Sequence, residues 1–89
     1  MNISIITFTE NGTKLAEKIR QAFVGAKTEE AKKLGLSLSD WTRQQFAEKN
    51  AIVVIGACGI AVRMIAPFVS DKLSDSPVVV ADEAGMFVI

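Results

Sequence analysis

Eighty-nine residues make one small domain with a single core, and a hydrophobic content of 49% excludes a disordered chain. Ten basic and ten acidic residues cancel, so the electrostatic footprint of a nucleic-acid binder is missing. One Cys and no His exclude an internal disulfide framework, most zinc sites and any Ser-His or Cys-His couple within these residues. The lone thiol fits a reducing compartment. Met1 runs directly into a strand-like block, without a basic segment, an apolar run and a small-residue cleavage site. A signal peptide is therefore not expected, and the expected location is the cytoplasm.

Asn2 to Phe8 is apolar on both faces through Ile3, Ile5, Ile6 and Phe8, as a central strand covered on two sides would be. Thr9-Glu10-Asn11-Gly12 is a turn in which Asn11 is the expected helix N-cap. Thr13 to Val24 places Leu15, Ile19 and Phe23 four apart, with Ala16 and Ala22 beside them, and Lys14, Lys18, Arg20 and Gln21 mostly off that stripe. This predicts an amphipathic helix lying on a sheet and stopped at Gly25. Ala26 to Gly35 is the least informative segment. A doubly wound fold places a second strand there, but nothing β-branched follows Thr28, so that strand is expected to be short or absent. Glu29, Glu30, Lys32 and Lys33 read as a solvated face. Ser37 and Asp40 resemble a capping box opening a helix from about Ser39 to Lys49, whose apolar contacts are Leu38, Trp41 and Phe46. Trp41 fits the core better than a ligand platform.

Ala51 to Lys72 contains the longest apolar stretch. Its length invites a membrane reading, but three features oppose it. Ile52-Val53-Val54-Ile55 is a β-branched run closed by the turn Gly56-Ala57-Cys58-Gly59. Arg63 would sit near a bilayer centre at a cost of about 2.5–3.5 kcal/mol, and Pro67 would break the second half. The stretch therefore predicts a strand, a turn and a helical segment divided at Pro67. Ser74 to Pro77 is a turn. Val78 to Ala81 is another buried strand, and Asp82-Glu83-Ala84-Gly85 closes a hairpin into Met86 to Ile89. These elements predict an α/β fold: a small three-layer sandwich with a mostly parallel sheet, right-handed crossovers and a C-terminal hairpin strand. Phe87-Val88-Ile89 is an apolar strand with no polar tail. The expectation is a piece of a longer protein, or an edge that pairs with a partner, a second copy included.

Gly56 to Pro67 (GACGIAVRMIAP), Asp71-Lys72, Asp75, Val78 to Val80 and Asp82-Glu83 together resemble the N-terminal region of the cobalamin biosynthesis protein G (CbiG) family. These are the cobalt-precorrin-5A hydrolases of the anaerobic vitamin B12 pathway. The first strand and helix also sit where that family places its own. The resemblance implies a longer chain, with a middle and a C-terminal domain beyond the residues matching Phe87 to Ile89. Cys58 departs from the pattern, because small residues serve at that place. The implied reaction opens a δ-lactone and releases a two-carbon unit as acetaldehyde. No cofactor is implied, since the cobalt belongs to the substrate, and no nucleic-acid or membrane partner.

That cobalt-corrinoid substrate carries many carboxylates, so its site needs cationic clamps and aimed N–H groups around an apolar floor. Gly56 to Gly59 ends a strand and opens a helix, which is where open α/β sheets bind ligands. The implied substrate-binding residues are Gly56, Gly59, Ile60, Arg63 and Lys72. Each has a plainer role beside this one. The glycines also suit a tight turn and close packing, and Arg63 also suits an ion pair with Asp71, Asp75 or Glu83. Cys58 suits a small buried residue better than a nucleophile. Lactone opening needs a base to activate water. Asp71, Asp75 and Glu83 are the candidates within these residues, and a His in the family's downstream segment is at least as good. Two other functions remain open: a stand-alone anion- or nucleotide-binding module, and an assembly domain using Met86 to Ile89.

Overall fold

The computed structural model describes residues 2–56, 58–66, 77–81 and 86–88. Strand β1 (Ile3–Thr7) is followed by helix α1 (Glu10–Ala22), strand β2 (Lys27–Glu30), a 3-10 turn (Ala31–Lys33), and helix α2 (Leu38–Ala47). Then come strand β3 (Ala51–Ile55), helix α3 (Cys58–Ile65), strand β4 (Val78–Ala81) and strand β5 (Met86–Val88). They form one sheet in the order β2-β1-β3-β4-β5. The first four strands are parallel, and β5 returns antiparallel to β4.

Alternation along the strands divides the core in two. Ile5, Val53, Ile55 and Ala81 face α1 and pack with Ala16, Leu15 and Ile19. Ile6, Ile52, Val54, Val78 and Val80 face the other way and pack with Trp41, Met64 and Ile65 of α2 and α3. Two-sided cover explains why β1 and β3 read as continuous apolar runs. The three layers follow from chirality. The step from β1 to β2 runs one way across the sheet, whereas those from β2 to β3 and from β3 to β4 run the other way. Right-handed crossovers therefore put α1 on one face and α2 with α3 on the opposite face.

The predicted architecture holds, and several local expectations change. The α1 N-cap is Thr9, not Asn11. Its hydroxyl accepts from the Gly12 amide at 2.9 Å, and the helix starts at Glu10. Gly12 is buried, and a Cβ there would stand 3.1 Å from Ile55 Cγ2 and 3.1 Å from Thr9 Oγ1, so glycine lets α1 start close to β3 without displacing either side chain. The helix ends at Ala22, so Phe23 leaves the apolar stripe: it is 50% exposed, and Val24 beside it is fully exposed. Gly25 takes φ +86° in the turn that follows. The doubtful second strand exists and is short, a four-residue edge strand. Helix α2 has half of the expected capping box. Ser37 Oγ accepts from the Asp40 amide at 3.0 Å, while the Asp40 carboxylate instead accepts from Arg43 at 2.8 Å. Trp41 is core, 2% exposed.

The long apolar stretch resolves into β3 and α3. Among the described residues no helix is long and apolar enough to cross a membrane. The turn after β3 is shorter than expected, since α3 already begins at Cys58 and Gly59 lies in its first turn. Pro67, the Ser74–Ser76 part of the expected turn, Asp82 to Gly85 and Ile89 lie outside the described residues.

Candidate functional site

The direction of the chain crossing reverses between β1 and β3, so the loops after these strands diverge to opposite faces. Their carboxyl ends flank the crevice in which such sheets take ligands. Extending the β1–β3 register one step past the Thr7–Ile55 pair puts Phe8 opposite Gly56, both on the α2–α3 side. Here the chain leaves a cleft of about 370 Å³ lined by Phe8, Leu38, Ser39, Ile60, Arg63 and Met64. Each wall has a local cause. Phe8 directly follows β1, Leu38 and Ser39 open α2 just after its Ser37 cap, and Ile60, Arg63 and Met64 lie along α3.

The lining is four apolar side chains with one hydroxyl and one guanidinium. Arg63 is exposed at the rim and has no ion pair among the described residues. It sits in the last turn of α3, where a cation is favoured by the helix dipole. The cleft therefore offers an apolar floor and one fixed positive charge. That suits one side of an apolar ligand with a peripheral carboxylate or phosphate. It does not suit proton abstraction. A guanidinium stays protonated at any ordinary pH, and a serine hydroxyl without a base beside it is a poor one.

Two other depressions suit an anion less well. A wider one of about 600 Å³ beside β2 is walled by Glu17, Glu29 and Glu30, and its Lys33 already pairs with Glu30 at 3.1 Å. One of about 170 Å³ near the start of β1 is small and mixes Lys27 with Glu29 and Glu48. On α1 the Arg20 guanidinium hydrogen-bonds Glu17 and holds its carboxyl below the usual carboxylate range, away from the cleft. Among the described residues no three His, Cys, Asp or Glu side chains gather as metal ligands.

The structure brings Ile60 and Arg63 of the expected site residues to the cleft. Gly56 borders it with a packing role, for a Cβ there would stand 3.0 Å from Phe8 Cδ2. Gly59 is in the first turn of α3. Lys72, Asp71, Asp75 and Glu83 lie outside the described residues, as does the Cys58 side chain. The sequence reading missed Phe8, Leu38, Ser39 and Met64. Phe8 had a usable signal, because the residue after a central parallel strand stands at the carboxyl edge of the sheet.

A family model described as cobalamin synthesis G N-terminal matches residues 40–89. The chain belongs to that family. The matched residues include the cleft's α3 wall, Ile60, Arg63 and Met64, together with β3 and β4, whereas Phe8, Leu38 and Ser39 precede them. Over 95 aligned positions the chain is 37% identical to a protein named cobalt-precorrin-5A hydrolase from Salmonella typhimurium (strain LT2). The match covers 99% of this chain and 27% of that relative, so the chain spans about a quarter of its length. No solved structure matches this chain.

Proposed function

We propose that this chain is the N-terminal domain of a cobalt-precorrin-5A hydrolase and forms one wall of its corrinoid site. The observation that carries this is the 37% identity, running over 99% of the chain, to a relative of that name. The cleft adds a physical reason. At about 370 Å³ it lies at the small end of the roughly 300–1,000 Å³ typical of ligand pockets. One side of a macrocycle fits against Phe8, Leu38, Ile60 and Met64, and the rest of the ring needs walls from elsewhere.

In this reaction a base activates water to attack the δ-lactone carbonyl, and the ring opens to a carboxylate and a free hydroxyl. Deprotonating the hydroxyl then breaks a carbon–carbon bond and releases the two-carbon unit as acetaldehyde, the electron pair staying with the macrocycle. No described side chain in the cleft is such a base. The domain accordingly holds and orients substrate, with Arg63 clamping a peripheral carboxylate, and is inactive alone. The bases are sought at Asp71, Asp75 and Glu83 or in other domains, and the cobalt arrives with the substrate.

Trp41, the one tryptophan, packs in the cluster beneath the cleft with Phe8, Leu38, Ile60 and Met64, so corrinoid absorption should quench its emission. Titration with cobyrinic acid, a cobalt corrinoid with free carboxylates, then reads binding directly. Arg63→Ala is expected to weaken it roughly ten- to a hundredfold, the range of a charge-assisted contact, with Arg63→Lys between. Equal affinity of the Ala variant and the parent removes the clamp. Saturable binding of adenine nucleotides without corrinoid binding favours a nucleotide module instead.

A further inference from the structure

We propose that Phe8 is the residue on which the corrinoid face rests, a stacking surface that sets the orientation of the macrocycle. This rests on the corrinoid reading of the cleft. Phe8 follows β1 directly, in line with the register that pairs Thr7 with Ile55, so its ring lies over the end of β3. Three ring atoms stand 3.0, 3.6 and 3.7 Å from where a Cβ of Gly56 would be. The ring is thus laid against bare backbone, and a Cβ at position 56 would make it shift by a few tenths of an ångström. The same ring lines the cleft, whose other apolar walls, Leu38, Ile60 and Met64, are aliphatic. Phe8 is half-buried at the border of the core cluster, whereas Ile6, Val54 and Val80 deeper in that cluster are almost fully enclosed.

A flat aromatic held in this way is suited to a broad conjugated ligand. It has few rotamers to lose, and offset stacking adds to simple area burial. Arg63 and Phe8 then divide the work. Arg63 holds one edge by charge, an interaction that salt screens. Phe8 holds the face by an apolar contact, which salt leaves largely intact. The two contributions are separable by one titration.

The experiment is cobyrinic acid binding to this chain, followed by Trp41 quenching at about 0.05 and 0.5 M salt, with circular dichroism confirming that each variant is folded. Phe8→Leu keeps an apolar side chain and removes the flat face. It is expected to weaken binding about three- to tenfold at both salt concentrations. Phe8→Tyr restores the flat face and is expected to bind like the parent. Arg63→Ala is expected to weaken binding mainly at low salt. A folded Phe8→Leu variant that binds like the parent, beside a weakened Arg63→Ala, overturns stacking and leaves the corrinoid reading standing. So does a Phe8→Tyr variant as weak as Phe8→Leu. Affinity unchanged in both Phe8→Leu and Arg63→Ala, or no saturable quenching of the parent chain, overturns the corrinoid reading and the stacking together.

Discussion

Lys49 is the non-glycine residue with a positive φ among those described, at 58°. The cause is the end of α2. The Lys49 amide donates to the Phe46 carbonyl at 3.1 Å and the Asn50 amide to the Gln45 carbonyl at 3.0 Å. These are the paired bonds of a Schellman motif, which requires a left-handed residue after the cap. A lysine pays for that conformation with its Cβ, and Lys49 is exposed. Lys49→Gly is therefore expected to stabilise the fold by about 0.5–1 kcal/mol, read as a higher urea midpoint at unchanged slope. A lower midpoint would contradict this. The same scale explains what was hidden in the sequence. Asn11 and Thr9 are both good caps, and the choice between them is tertiary: Gly12 packs without a side chain against Ile55, so the first turn must start early. Arg63 was legible because a lone charge in a long apolar stretch needs a reason. Its neighbours across the cleft, Phe8 and Leu38, come from distant parts of the chain, and no local pattern links them.

Between elements, the apolar pattern was a good guide and the polar joints were silent. The strands β1, β3 and β4 were legible from β-branched runs, and α2 from Ser37 and Trp41. Strand β2 was marginal because Lys27-Thr28-Glu29-Glu30 carries no strand signal of its own; pairing with β1 imposes it. The end of α1 was misplaced since Phe23 continues the spacing while the backbone has already left the helix. One buried joint was not foreseen at all. Gln45 Oε1 accepts from Ser4 Oγ at 2.6 Å and from Asn50 Nδ2 at 2.8 Å, tying the end of α2 to the start of β1 and the residue before β3. All three residues are buried. Gln45→Leu strands the Ser4 hydroxyl and one hydrogen of the Asn50 amide, whose nitrogen keeps Glu48 Oε1 at 3.2 Å, and is expected to cost about 1–3 kcal/mol in chemical denaturation. Adding Ser4→Ala should return part of that loss, because one of the stranded donors disappears. A double variant no more stable than Gln45→Leu would show that the hydroxyl was not penalised.

For the whole molecule, burial and topology together order the stability of its parts. Strand β3 is the middle of the five, hydrogen-bonded to β1 and β4, with Ile52, Val54 and Ile55 almost fully enclosed. Strand β2 pairs with β1 on one side, exposes Lys27 and Glu29, and has no fully buried residue. Its charges also discourage another strand from adding there. The cleft draws on both kinds of region: Phe8 continues the stable β1, whereas Leu38 and Ser39 are reached through β2 and the 3-10 turn. Local opening of the β2 edge would let that wall adjust to a ligand while the floor stays fixed. Native-state hydrogen exchange gives the test. Amides of β1 and β3 are expected to exchange near the global unfolding limit, and those of β2 at least roughly a hundredfold faster through local opening. Cobyrinic acid at saturation should slow the amides around Leu38 and Ser39 more than those at the centre of β3. Protection of β2 equal to that of β3 would mean that the edge opens only with the whole sheet, and the adjustable wall would be lost.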